Sequence, residues 1–404
     1  MTEQGSTWKD LWHLIRAEGE HRERDLSASL DWNAIAHLAH RTGLGPLLYH
    51  GLQSLDTSVP PRILTDLEAD YYLVAAANTL RFQELGEILQ HLATFGIPVL
   101  VLKGAALAGT AYGNIALRPM ADLDLLIPRE FMVQVPRLLE PLGYQRMPGP
   151  PGHSLAYDAQ FGGEIGLTKA TPAGVFMLDI HWHLLAHQWL HHATSIDMET
   201  LWQAALSFEV DDQNALQFCP EDAVLHVCLH AGFSHAYAYL LNLVDVDRAV
   251  AYFADLNWDR VLQRAHDFEV RVPTYFGLRF AHDLMKTPVP DQVWAALRPA
   301  VLRRWGVGHL AGPERTLQGD PSPLPGSSRY LLHLALLDGL PGILRLARFL
   351  ALPGDDWLAI RYGLTGSADI RLARFWHPFR MAQTWLSVLV QALRKGKRPG
   401  STGS

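Results

Sequence analysis

Two aspartates separated by one residue, Asp122 and Asp124, lie in the apolar run 121–127. The run predicts a β-strand, on which residues two apart point to the same face. Two carboxylates held that close repel each other unless a cation or a proton shares the site. Mg²⁺ prefers carboxylate and phosphate oxygens, so the pair predicts a magnesium site.

A second predicted strand, residues 175–184, alternates apolar and polar side chains and places Asp179 and His181 on one face. If it lies beside the first strand, Asp179 becomes a third carboxylate at the same point. Three carboxylates can hold two divalent ions about 3.5–4 Å apart, as in phosphoryl and nucleotidyl transfer. The alternative is a solvated edge strand, because an Asp-x-Asp pattern is common by chance.

The segment 95–107 predicts a turn, a buried strand and a Lys103-Gly104 junction into a helix. Gly104 would let backbone approach a ligand, and the helix start offers free N–H groups to an anion. Lys103 adds a positive charge, so the junction could hold phosphate or only turn the chain. Arg118 precedes Asp122 by four residues and is predicted either to pair with a carboxylate or to reach phosphate oxygens.

These segments together resemble the bacterial uncharacterised nucleotidyltransferase family of the DNA polymerase β-like superfamily. The resemblance covers roughly residues 35–255 and is carried by segments 102–107, 117–126, 179–184, 225–231 and 243–247.

The resemblance implies that Asp122 and Asp124 bind metal, that Asp179 is the third carboxylate and that Gly104 lies beside the phosphates. Ala105 follows Gly104 where the superfamily has Gly or Ser. Lys103 and Arg118 are therefore the candidates for binding the triphosphate.

The implied activity is metal-dependent transfer of a nucleoside monophosphate from an NTP to a hydroxyl acceptor, with release of pyrophosphate. Two Mg²⁺ ions are expected, with Mn²⁺ as a substitute. The acceptor is left open among small molecules, sugars, peptides and proteins. A non-catalytic nucleotide-binding protein and a metal-dependent phosphohydrolase are the alternatives.

Histidines form two groups in the sequence. Five lie between residues 181 and 192 without cysteine partners or a His-Glu-x-x-His motif, which favours paired or surface side chains over zinc. His181 is the exception, since its face predicts contact with nucleotide or acceptor. His226 and His230 share one helix face and either line the cleft or bond within the helical core. The resemblance favours the cleft for His230 and Asp245.

Composition narrows the class of protein. The 404 residues are 49% hydrophobic with a mean hydropathy of +0.02, which is typical of a globular chain. A net charge of −7 argues against stable nucleic-acid binding. Two cysteines, no signal peptide and no uninterrupted apolar stretch of spanning length predict a cytoplasmic protein without a membrane span.

The predicted fold class is α+β, a small mixed-sheet nucleotidyltransferase core flanked by N-terminal and C-terminal helical regions. The expected boundaries are a helical region at 1–95, the core at 96–217, a C-terminal helical domain at 218–395 and a flexible tail at 396–404. Asp31 predicts a helix cap, Pro61 the start of a long helix, and 171–174 a turn between antiparallel strands. Residues 309–329 predict a linker or a long loop.

Overall fold

The computed structural model describes residues 3–16, 30–55, 58–148, 155–253, 255–318, 324 and 326–395. Its centre is a seven-stranded mixed sheet in the order β3-β4-β5-β2-β1-β7-β6. The strands are β1 (Leu100–Val101), β2 (Leu123–Leu126), β3 (Gln145–Arg146), β4 (Glu164–Thr171), β5 (Gly174–His181), β6 (Leu206–Val210) and β7 (Gln213–Gln217).

The middle of the sheet sets the register of the site. β2 runs parallel to β5, with Asp124 opposite Asp179 and Leu126 opposite His181. β1 pairs antiparallel with β2 and parallel with β7. β4 and β5 form a hairpin in which Thr171 faces Gly174, which confirms the turn predicted at 171–174. The hairpin of β6 and β7 was not predicted.

Each face of the sheet belongs to a different core. Leu123, Leu125, Leu178 and Ile180 pack with residues of the long helix 61–93. Leu100, Leu102 and Leu126 belong to the second core, which also contains the C-terminal helices. Because side chains alternate along a strand, Asp124 lies on the face of this second core.

Among the described residues, four helices precede the sheet: α1 (Glu3–Ile15), α2 (Trp32–Thr42), α3 (Gly45–Gln53) and α4 (Pro61–Ala93). The cap predicted at Asp31 is confirmed, since its side chain accepts from the Ala34 N–H at 3.0 Å. Gly43 ends α2 with a φ of 75°, a conformation that suits glycine. The long helix predicted from Pro61 is also confirmed.

Short helices connect the strands, and a helical region follows them. The connecting helices are α5 (Lys103–Gly109), α6 (Gln134–Leu138), α7 (Leu155–Phe161), α8 (Gln188–Ala193) and α9 (Met198–Ala204). The later ones are α10 (Pro220–Leu229), α11 (Leu240–Tyr252), α12 (Trp258–Asp267), α13 (Arg271–Met285), α14 (Asp291–Leu297), α15 (Val301–Ala311), α16 (Pro313–Gln318), α17 (Gly326–Leu336), α18 (Leu340–Ala351), α19 (Asp355–Tyr362) and α20 (Ser367–Lys395). No helix among the described residues is long and apolar enough to cross a bilayer.

Three sequence-based predictions of extent are wrong. β2 begins at Leu123, because Asp122 lies in the bend before the first residue that pairs with β5. β5 ends at His181, so His183 lies in a bend and not on the strand face. The segment predicted as a linker contains the end of α15 and all of α16, where Pro313 begins a new helix. Residues 319–323, 325 and the predicted tail 396–404 lie outside the described residues.

Candidate active site

Three side chains from neighbouring strands converge on one point of the sheet. Asp124 on β2 and Asp179 and His181 on β5 each place a ligand atom within 4.8 Å of the others. The parallel register of β2 and β5 brings the two carboxylates side by side. His181 Nε2 lies 2.9 Å from Asp124 Oδ1 and completes the group. The set of two carboxylates and an imidazole can hold a divalent cation.

Lys103 supplies the positive charge nearest to this group. Its Nζ donates to Asp124 Oδ1 at 2.6 Å, and both side chains are largely buried. Burial alone would raise the pKa of Asp124, but Lys103 and His181 outweigh it and hold that pKa well below its usual range. Burial alone would lower the pKa of Lys103, but Asp124 and its acidic neighbours raise it. Both groups are therefore charged near neutral pH.

Lys103 also has an uncommon backbone conformation. Its φ of 43° lies in the left-handed region, which costs energy for a residue with a Cβ. The residue begins α5 directly after Leu102, whose N–H donates to the Asp124 carbonyl. Strained backbone of this kind clusters at ligand sites, where the surrounding structure holds it in place.

Asp122 stands at the edge of the group. It is half-buried, in the bend one residue before β2. Burial and then the Asp124 carboxylate raise its pKa, so the two carboxylates lie close enough to interact. The three ligand atoms that approach within 4.8 Å come from Asp124, Asp179 and His181, so the structure brings His181 into the position that the sequence assigned to Asp122.

Asp179 is the least compensated of these carboxylates. Burial, followed by the charges of Asp124 and Glu164, raises its pKa to about 6. Glu164 Oε2 also lies 3.1 Å from His181 Nδ1, without the alignment of a hydrogen bond. Gly166 on β4 allows this close packing, since a Cβ there would lie 2.9 Å from Met147 Sδ and 3.2 Å from Asp179 Oδ1. A cation bound by these carboxylates would relieve the repulsion among the acids.

Arg118 pairs with a carboxylate, which is one of the two roles that the sequence left open, and its partner is Asp245. Its guanidinium binds Asp245 on α11 with two bonds, Nε to Oδ1 at 3.0 Å and Nη2 to Oδ2 at 2.8 Å. Burial alone would lower the pKa of Arg118, but the Asp245 carboxylate outweighs burial, so the pKa is raised above its usual value. Tyr112 donates a third bond to Asp245 Oδ1 at 2.8 Å. This buried cluster joins the segment before β2 to the C-terminal helical region.

Gly104 packs directly against Arg118 of the same cluster. A Cβ at this position would lie 2.4 Å from Arg118 Nη1 and 2.9 Å from Met120 Cγ. The glycine therefore lets the guanidinium pass against α5. Asn78 on α4 donates to the carbonyl oxygens of Ile115 and Arg118, which fixes the loop from the other side. Sequence reasoning missed Asn78 and Tyr112, because a partner far away in sequence carries no local signal.

Helix α10 and the turn after it carry three histidines. His226 is buried, His230 and His235 are half-buried, and residues His230–Ser234 form a π-helical turn. Burial, followed by the charge of Lys103, lowers the pKa of each ring, to about 3 for His226 and about 4 for His235. Their electrostatic coupling to Lys103 and Asp124 places them beside the carboxylate group.

The other histidines of the first group have local partners. His183 Nδ1 accepts from the Leu185 N–H at 3.1 Å, and its ring lies against His191 with centroids 3.7 Å apart. The His192 ring stacks on Phe349. The described residues of this group other than His181 thus have packing or backbone contacts instead of a shared metal site.

Comparison with known proteins gives one decisive match. No curated protein sequence matches the chain. A crystal structure of an antigenic nucleotidyltransferase-like protein from Paracoccidioides brasiliensis is similar at 15% identity, over 54% of this chain and 91% of that chain, with a TM-score of 0.34. Such a similarity supports no conclusion about chemistry. Residues 28–286, more than half of the chain, match the family described as "Uncharacterised nucleotidyltransferase". The chain therefore belongs to that nucleotidyltransferase family.

Proposed function

We propose that this protein transfers a nucleoside monophosphate from an NTP to a hydroxyl acceptor and releases pyrophosphate. One observation carries the proposal: Asp124, Asp179 and His181 converge beside a buried lysine in a chain of a nucleotidyltransferase family. The acceptor is of open chemical class, and the proposed setting is metal-dependent and cytoplasmic.

The residues present fit a divalent cation. Carboxylate oxygens are the ligands that Mg²⁺ and Mn²⁺ share, and the imidazole of His181 is compatible with Mn²⁺. The Lys103 ammonium, 2.6 Å from Asp124, already occupies the place of a cation at this carboxylate. Asp122 would add a further carboxylate from the adjoining bend. A bound pair of Mg²⁺ or Mn²⁺ ions would neutralise phosphate charge and acidify the acceptor hydroxyl.

The chain's own residues would do the rest by binding and proton transfer. Asp124, held by Lys103 and His181, defines where the phosphates meet the sheet. Asp179, at the end of β5 beside Asp124, would accept the proton of the acceptor hydroxyl. The acceptor oxygen then bonds to the α-phosphorus as the bond to pyrophosphate breaks. The Lys103 ammonium is positioned to attract the phosphate chain.

The test is transfer of label from each α-labelled NTP in the presence of Mg²⁺ or Mn²⁺ and a cell extract. Wild type should label one acceptor species, and Asp179→Asn should label none. Asp291→Asn removes an exposed acid on α14 and is the matched control, with unchanged transfer expected. Release of free labelled monophosphate alone would favour the phosphohydrolase. NTP binding without turnover would favour a non-catalytic nucleotide-binding protein.

A further inference from the structure

Buried imidazole nitrogens on α10 lack hydrogen-bond partners. Among the described residues, neither ring nitrogen of His226 has a partner, and Nδ1 of His230 has none. Burying a polar atom without a partner is unfavourable, so native proteins retain it mainly where a ligand or water completes the bond. The π-helical turn at His230–Ser234 points the same way, because such turns are rare and occur frequently at functional sites.

The three rings form a continuous row. The centroids of His226 and His230 lie 6.3 Å apart, and those of His230 and His235 lie 4.5 Å apart in an edge-to-face contact. Each ring is electrostatically coupled to both Lys103 and Asp124. The row therefore lies within electrostatic range of the candidate active site.

Two cations influence the row, and the Asp124 carboxylate opposes them. Lys103 lowers the pKa of all three rings, and Arg329 on α17 lowers that of His235. The Arg329 guanidinium donates to the Ser234 carbonyl at 2.8 Å, which holds it at the π-helical turn. Neutral N–H donors in a positive field are suited to an anion.

Arg118, the other cation that could bind phosphate, is already paired. Both sides of the Arg118 fork bind Asp245, and Nη1 donates to the Pro119 carbonyl at 3.2 Å. An anion would have to break a buried bidentate pair to bind Arg118. The phosphate chain of a nucleotide therefore needs another set of donors.

We propose that His226, His230 and His235, with Lys103, bind the β- and γ-phosphates of the nucleotide. This inference rests on the proposed function for the identity of the anion, a triphosphate chain. The imidazole N–H groups would donate to phosphate oxygens, and the α-phosphate would lie towards Asp124 and Asp179. The helical side of the cleft thus recognises the leaving group, and the sheet side carries the chemistry.

The experiment is calorimetric binding of inorganic tripolyphosphate and of an NTP to the full-length protein. His226→Phe and His230→Phe keep ring volume and remove donors, so each should weaken both ligands by about tenfold or more. Affinity for the matching nucleoside monophosphate should stay within twofold, since that ligand lacks β- and γ-phosphates. His282→Phe is the control, because this half-buried ring on α13 bonds the Thr287 carbonyl away from the row.

A second readout separates a ligand role from a structural one. His226→Phe removes no hydrogen bond from the ligand-free protein, so its melting temperature should be equal to or higher than that of wild type. If this variant does not fold, His230→Leu and His235→Leu, which also remove the ring donors, provide the same binding comparison. Tripolyphosphate and NTP affinities within twofold of wild type in every folded histidine variant would overturn the inference.

The inference and the proposed function fail in different ways. If wild type binds an NTP tightly but labels no acceptor, the transfer reaction is contradicted. The phosphate site is then still tested by the NTP and tripolyphosphate affinities of the histidine variants. Wild type that transfers label, with histidine variants of unchanged affinity, contradicts only the phosphate site. Wild type that binds neither tripolyphosphate nor any NTP contradicts both.

Discussion

The sheet side and the helical side of the candidate site differ in how their buried polar groups are paired. On the sheet wall, defined by Lys103, Asp124, Asp179 and His181, the buried Lys103 and Asp124 form an ion pair, and His181 Nε2 lies 2.9 Å from Asp124. On the helical wall, defined by His226, His230 and His235, the rings are neutral near pH 7 and several nitrogens lack partners. Paired charged side chains hold each other in fixed positions. Buried ring nitrogens without a partner can still form a hydrogen bond to a ligand.

Two ion pairs sharpen the contrast. Lys103 binds Asp124 through a compact ammonium, a contact that a divalent cation can replace. Arg118 binds Asp245 through a two-pronged fork, a geometry that only a carboxylate or phosphate matches. Under the proposed function the first pair belongs to the reaction site, whereas the second joins the sheet to the helical region.

The largest effect is expected from Asp124→Asn. Nucleotide transfer should fall by at least about a thousandfold, because the central ligand for the cation is lost. Stability should also fall, by about 3–5 kcal/mol, since Lys103 would remain buried without its partner. The sequence alone suggested relief of charge repulsion instead. Label transfer and urea unfolding measure the two effects.

The double variant Asp124→Asn with Lys103→Met is the control for this reading. It should recover most of the lost stability, because no unpaired charge remains, and it should stay inactive. A double variant as unstable as the single one would show that Lys103 and Asp124 are not a coupled pair.

Arg118→Ala should act on stability and not directly on nucleotide binding. Removing one partner of the buried pair with Asp245 should cost about 3–5 kcal/mol of unfolding free energy. Binding of Mg-NTP to the fraction that stays folded should remain within about threefold. If Arg118→Ala strongly weakens NTP binding but hardly lowers the melting temperature, Arg118 binds phosphate, as the sequence analysis left open. A double-mutant cycle with Asp245→Asn gives the pair energy.

Gly104→Ala tests the close approach of Arg118 to α5. The added Cβ would lie 2.4 Å from Arg118 Nη1, so the fork must shift, and we expect a loss of about 1–3 kcal/mol. Gly306→Ala on α15 is the matched control, because a Cβ there would meet nothing within 4 Å. This control should be neutral or slightly stabilising, since alanine favours helix. Equal melting temperatures in both variants would contradict the steric argument.

The last prediction concerns the pH dependence of stability that His333 on α17 contributes. His333 Nε2 bonds the Phe233 carbonyl in the π-helical turn, and burial, then His187 and Arg329, lower its pKa to about 3. Between that value and the unfolded pKa of about 6.5, the unfolded chain binds the extra proton. Stability present above pH 6.5 is therefore lost as the pH falls, by about 2 kcal/mol at pH 5.

The measurement is urea unfolding at pH 7 and pH 5 for wild type and His333→Phe. The variant should lose less stability between the two pH values, whatever its stability at pH 7. His13→Phe, at an exposed position on α1, should keep the wild-type pH dependence. Equal losses in wild type and His333→Phe would exclude this ring as a source of acid sensitivity.

Local patterns determined much of the molecule. The apolar run 121–127 and the alternation on 175–184 identified β2 and β5, and Asp31 and Pro61 marked real helix starts. These features follow from hydrophobic periodicity and capping, which act over a few residues. The α+β class and the family followed from the same segments.

Tertiary structure alone decided which side chains meet. The partner of Arg118 is Asp245, 127 residues away, and the partner of Asp124 is Lys103, across the junction with α5. His181 joins the two aspartates because the parallel register of β5 brings its ring within reach of Asp124. Contacts between distant segments depend on register, burial and competition among partners. None of these is written in local sequence spacing.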